Sequence, residues 1–146
     1  MEIIPAIEIT ISKVCEFLKN SNIRYRLDGE DSVFIEGHGM QIWLEVDAAR
    51  RDLIFSSYWS FQSDTDEVEK LILINDLNSR LRAVQFSYEL DNNRVIGSYY
   101  LSYRDGLMHV QIMRAAARFA KVFNIEAPDL DSDGLLDAYE DEVTIN

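Results

Sequence analysis

A chain of 146 residues, 47% hydrophobic and 11% aromatic, is the size of one domain and carries enough apolar material for a core without metal or disulfide staples. Its net charge of −12 is lopsided: the eight acids from Glu126 onward meet no Lys or Arg, while 18 acids against 14 bases leave residues 1–125 at −4. That balance gives a phosphate backbone no attraction and excludes nucleic acid as the expected partner. A lone cysteine, Cys15, excludes an internal disulfide and fits a reducing compartment.

The opening MEIIPAIEIT has an acid at position 2 and no positive n-region, so it does not read as a signal peptide. The longest apolar runs, such as Leu71–Ile74, are too short to span a membrane. A cytoplasmic protein with no membrane contact is expected. The spacing of Ile7, Ile11, Val14 and Leu18 predicts a helix over about residues 5–20, with Pro5 in its first turn and Asn20-Ser21-Asn22 ending it. Strands follow over 23–27, 33–36, 41–46 and 53–59, the third read from Ile42, Leu44 and Val46 alternating with Gln41, Trp43 and Glu45. Gly37-His38-Gly39 marks a tight turn.

Asp64, with Glu67 three residues on, is the expected cap of a second helix whose apolar face holds Val68, Leu71, Ile72 and Leu81. Asn75 and Asn78 lie near that face and are expected to tie the helix to neighbouring backbone. Val84–Leu90 and Val95–Leu101 alternate around the turn Asp91-Asn92-Asn93 and predict a hairpin. Asp105 then caps a third helix over about 106–123, with Met108, Ile112, Ala115, Phe119 and Val122 as its stripe. The order α-β-β-β(-β)-α-β-β-α implies an α+β fold, an antiparallel twisted sheet with helices packed on it. One domain over 1–125 and an acidic C-terminal tail over 126–146 are expected.

Catalysis finds little footing. His38 sits in a turn, His109 in the first turn of the third helix, and neither neighbours a nucleophile motif. Cys15 reads as a buried structural thiol. Arg114, Arg118 and Lys121 form a basic face, either solvated or a dock for an acidic partner or the chain's own tail. Of each pair in Tyr58-Trp59 and Tyr99-Tyr100, alternation sends one ring to the core and the other outward. In the tail, Asp129, Asp131, Asp133, Leu135, Asp137 and Glu140 match positions 1, 3, 5, 7, 9 and 12 of a calcium loop, with Gly134 at position 6. Against calcium stand the acid-rich composition and Ala127-Pro128, which occupy the place of an entering helix. A solvated acidic tail is the competing reading.

The opening helix followed by IRYRLDGEDSVFI, the central LILINDLNSRLRAVQFSYELDNNRVIGSYYL and the final GLMHVQIMRAAARFAKVF together resemble the YbjN-like family of bacterial sensory transduction regulators. The resemblance covers about residues 5–123. It implies a fold similar to type III secretion chaperones and a homodimer, and it supplies no catalytic residues. The expected function is therefore non-enzymatic protein binding or regulation, with no cofactor. A secretion-type chaperone for an extended client segment and a calcium-responsive module are the alternatives.

Overall fold

In the computed structural model, residues 2–36 and 41–137 are described. A 3-10 turn at Ala6–Glu8 precedes helix α1 (Ile11–Asn20), then strands β1 (Arg24–Leu27), β2 (Ser32–Glu36), β3 (Ile42–Asp47) and β4 (Asp52–Ser60). Helix α2 (Glu67–Arg80), strands β5 (Gln85–Glu89) and β6 (Arg94–Ser102), and helix α3 (His109–Lys121) follow. The six strands form one antiparallel sheet in the order β1-β2-β3-β4-β6-β5. The expected α+β order holds, with four strands in the first meander.

Alternation along the strands sorts the two faces. Val33, Ile35, Ile42, Leu44, Val46, Leu53, Phe55, Phe86 and Val95 join the core with Val14, Phe17 and Leu18 of α1, Leu77 of α2 and Ile112, Ala115 and Phe119 of α3. The helices thus share one face of the sheet. Phe123, just beyond α3, is the keystone of this layer. Its ring stacks on Phe119, Phe86 and Trp59 at centroid separations of 5.4, 6.0 and 5.9 Å, and its carbonyl accepts the Trp59 indole N–H at 3.0 Å. Gly97 makes room for it: a Cβ there would lie 2.6 Å from two carbons of the Phe123 ring.

Three helix starts differ from expectation. The first helix breaks at Ile9-Thr10, where the Thr10 hydroxyl accepts the Lys13 N–H at 3.1 Å and caps α1. Pro5 precedes the separate 3-10 turn, and Ile7 is 83% exposed. Asp64 does not cap α2; Asp66 holds that position without a side-chain bond. Asp105 does not cap α3, which starts after Met108, whose N–H donates to Gln111 Oε1 at 2.7 Å.

The apolar face of α2 is also reversed. Lys70, Leu73, Ile74 and Leu77 are buried, whereas Val68, Leu71 and Ile72 are 61%, 53% and 63% exposed. Leu81 lies just past the helix and is half-buried. Asn78 behaves as expected and Asn75 is exposed. The Asn78 amide donates to the Phe86 carbonyl at 2.9 Å and accepts the Phe86 N–H at 2.8 Å. On the edge strand β5 it stands where a further strand would bond, which closes that stretch of the edge to other chains.

Beyond α3 the chain continues through a π turn (Val122–Glu126) into α4 (Ala127–Leu130), then returns to the sheet. Phe61 and Leu136 form a bridge, and the Asp137 N–H donates to the Ser60 carbonyl at 2.8 Å. Residues 126–137 therefore have defined places against the sheet and helices.

Candidate protein-docking face

The face of the sheet away from the helices carries a row built across the strands. The Arg26 guanidinium lies over the Phe34 ring at 4.6 Å, and Phe34 meets Trp43 at 4.6 Å. Trp43 stacks on Tyr58 at 5.7 Å, and Arg94 covers Tyr58 at 4.1 Å. Pairing explains the alignment: Arg26, Phe34, Trp43 and Ser56 are successive cross-strand partners, so their side chains share one face. Trp43, Ser56, Tyr58, Arg94 and Ile96 line a groove of about 370 Å³ here. Each cation is also ion-paired, Arg26 with Glu36 at 3.3 Å and Arg94 with Glu89. The Arg94 bond, then that from Asn92, holds the Glu89 carboxyl below the usual range.

On the helix side of the sheet, a buried lysine ties α2 to the β5–β6 turn. Lys70 Nζ donates to Glu67 Oε1 at 3.0 Å, the Tyr88 hydroxyl at 3.2 Å and Asn93 Oδ1 at 2.6 Å, so all three ammonium protons are used. Burial opposes its charge, and the bonds to Glu67 and Tyr88 outweigh that, leaving the ammonium pKa raised. The Tyr88 hydroxyl, donating at 2.7 Å, and Lys70 hold Glu67 below the usual carboxylate range. Through Asn93 this node sets the β5–β6 turn and hence Arg94, the next residue.

The candidates read from sequence scatter. His38 lies outside the described residues. His109 is exposed, with its ring edge-on to Phe17 at 4.5 Å. Cys15 is half-buried beside Tyr25, and burial pushes its thiol up. Arg114, Arg118 and Lys121 are exposed on α3, with Lys121 3.8 Å from Glu126.

In the calcium-loop segment a helix does enter, since α4 contains Asp129 and admits Pro128 in its first turn. Gly134 takes φ +68°, and both Asp131 carboxylate oxygens accept backbone N–H groups, from Leu135 at 2.8 Å and Leu136 at 2.9 Å. The Leu135 carbonyl accepts the Gln62 N–H at 2.9 Å. Asp133 and Asp137 are exposed, and Glu140 lies outside the described residues. Among the described residues no three His, Cys, Asp or Glu side chains gather to hold a metal. The loop as folded is a clip between α4 and β4.

Sequence reasoning missed the row because its rings come from different strands. The signal available was Trp43 and Tyr58 on the wetter phase of their alternation.

Among the described residues, a single antiparallel sheet with helices on one face and a cation-flanked aromatic row on the other defines an α+β sandwich with one open side. Among the described residues no helix is long and apolar enough to cross a membrane. The sequence profile of YbjN, "Putative bacterial sensory transduction regulator", matches residues 10–124, and the chain belongs to that family. The crystal structure of YbjN from E. coli, titled a "putative transcription regulator", superposes with TM-score 0.72 at 10% identity, covering 89% of this chain and 97% of that one. A chain of the HopA1-SchA chaperone-effector complex superposes with TM-score 0.51 at 11% identity, covering 77% of this chain and 95% of that one. The expected kinship of fold with YbjN and with a secretion chaperone is thereby met. No curated protein matches this chain.

Proposed function

We propose that this chain is a cytoplasmic, non-enzymatic protein-binding module of the regulatory YbjN type, with the open face of its sheet as the docking surface. The observation that carries the reading is the row from Arg26 through Phe34, Trp43 and Tyr58 to Arg94. Aromatic and arginine side chains are the types that anchor protein interfaces. Their order suits a partner segment that sets carboxylates at its ends and apolar side chains between them. The chaperone–effector context of a structural neighbour supports a second form of the same reading, a chaperone holding an extended client segment along this face.

With a partner in hand, Trp43→Ala and Arg94→Gln are each expected to weaken binding about 30-fold, the effect of losing an anchor worth about 2 kcal/mol. Melting curves of the same variants separate lost binding from lost folding. Wild-type affinity in both folded variants would remove the open face from the mechanism.

The same module is proposed to be a homodimer through α2. Val68, Leu71 and Ile72 form an exposed stripe, and Asp76–Arg80 is an ion pair at 3.1 Å on the helix. Antiparallel pairing of two α2 helices brings the acidic Glu69 end of one copy towards the Arg80 end of the other, so the face complements itself. Ile72→Glu is expected to halve the mass in sedimentation equilibrium. A wild-type chain that sediments as a monomer at high concentration rules the dimer out.

A further inference from the structure

We infer that the edge strand β1 takes up an extended segment of a partner protein as a seventh strand, selecting one in which carboxylate and apolar residues alternate. The site is the edge of the sheet, so the inference stands apart from the docking reading of the open face. Register is the first observation. The Asp28 N–H donates to the Ser32 carbonyl at 2.9 Å, and the pairing continues from Leu27–Val33 to Arg24–Glu36. An antiparallel ladder bonds alternate pairs, so the backbone groups of Arg24 and Arg26 turn inward to β2 and those of Tyr25 and Leu27 turn outward. The outward N–H of Ile23 is taken by the Leu18 carbonyl at 3.0 Å. Among the described residues, the N–H and C=O groups of Tyr25 and Leu27 have no such partner. The opposite edge is closed at Phe86 by Asn78, so the sheet keeps one edge capped and one open.

Side chains are the second observation. Arg24 and Arg26 stand on the open-face side, Arg26 opposite Phe34, while Tyr25 and Leu27 stand opposite Ile35 and Val33 on the core side. Leu27 is 64% exposed although Val33 is fully buried, so the core layer ends at this edge on an uncovered apolar side chain. A seventh strand sets alternate residues beside Tyr25 and Leu27 on one face and beside Arg24 and Arg26 on the other. Apolar residues there extend the core, and carboxylates meet the guanidinium groups. Arg26 already holds Glu36 at 3.3 Å, whereas Arg24 has no ion pair among the described residues. A cleft of about 400 Å³ lined by Lys19, Ile23, Arg24, Tyr25 and Glu36 opens at the start of the strand, with room for one more partner side chain. A second copy of this chain is the poorer occupant. Antiparallel pairing of β1 with itself through Tyr25 sets Arg26 opposite Arg24 or Arg26 of the other copy, and like charges directly opposite repel.

The test titrates the isotope-labelled full-length chain with a short end-blocked peptide of alternating glutamate and valine, followed by amide shifts and hydrogen exchange. The Tyr25 and Leu27 amides are expected to shift downfield and gain protection, while those of Arg24 and Arg26, already bonded to β2, gain none. A lysine–valine peptide, and one with the glutamates gathered in a block, should leave Tyr25 and Leu27 unmoved. Leu27→Pro removes an outward N–H and no bond to β2, so it should abolish the response in a folded chain. R24Q/R26Q, a surface change that keeps every backbone group, should weaken the peptide about 5-fold. Shifts confined to Trp43 and Tyr58, or no shift at all, overturn the inference. So does an equal response to the lysine–valine peptide, or protection of Tyr25 that grows with protein concentration alone. None of these outcomes bears on a partner held by the open face, whose own test is Trp43→Ala.

Discussion

Phe123→Ala is expected to lower the unfolding free energy by about 3–5 kcal/mol in urea titrations, the cost of deleting a buried ring from a packed site. A domain holds only about 5–15 kcal/mol in total, so a fifth or more of its stability rests on this side chain. Its weight comes from position. The ring is stacked on Trp59, Phe86 and Phe119 and so joins β4, β5 and the helical layer. Its backbone carbonyl holds the Trp59 indole, a bond that the substitution leaves in place.

Gly97 supplies the matching half of the argument. Its backbone is not in the left-handed region, so what excludes a larger residue is space. Gly97→Ala drives a methyl into the Phe123 ring and is expected to cost about 1–3 kcal/mol. In the Phe123→Ala background the same change should cost little, giving a coupling of about 1–3 kcal/mol in a double-mutant cycle. Additive effects would mean that the two positions do not share the space assigned to them.

Replacing Asn78 with Leu is expected to have the second large effect, about 1–3 kcal/mol of stability with a change in association. The leucine keeps the bulk and removes both bonds to Phe86, so one N–H and one C=O on the β5 edge lose their partners. An unpaired edge recruits other strands, and concentration-dependent aggregation should accompany the loss. Light scattering against concentration, beside thermal melts, reads both parts. An Asn78→Leu protein with wild-type melting and scattering would show that the amide is not an edge cap.

The open-face row and the α2 stripe show how differently sequence serves fold and site. Strand alternation is local, so β3, β4 and β6 were legible from Ile42, Leu44 and Val46, from Leu53 and Phe55, and from Val95 and Gly97. The α3 stripe was legible for the same reason: Ile112, Ala115, Phe119 and Val122 repeat at helical spacing and all are buried. Helix α2 was not, because VEKLILINDL carries apolar residues around most of its circumference. Periodicity then names no single face, and the tie was broken by Lys70, whose acceptors Tyr88 and Asn93 lie 18 and 23 residues away.

By itself, then, the sequence determined the element order, the α+β class and the family, since each rests on patterns readable within a few residues or along one continuous stretch. Tertiary structure alone decided which side of α2 is bare, that Gly97 exists to seat Phe123, and that Arg26, Phe34, Trp43, Tyr58 and Arg94 stand in one row. Those depend on strand register and on which helix lands where, and register is a relation between distant segments that no local period encodes.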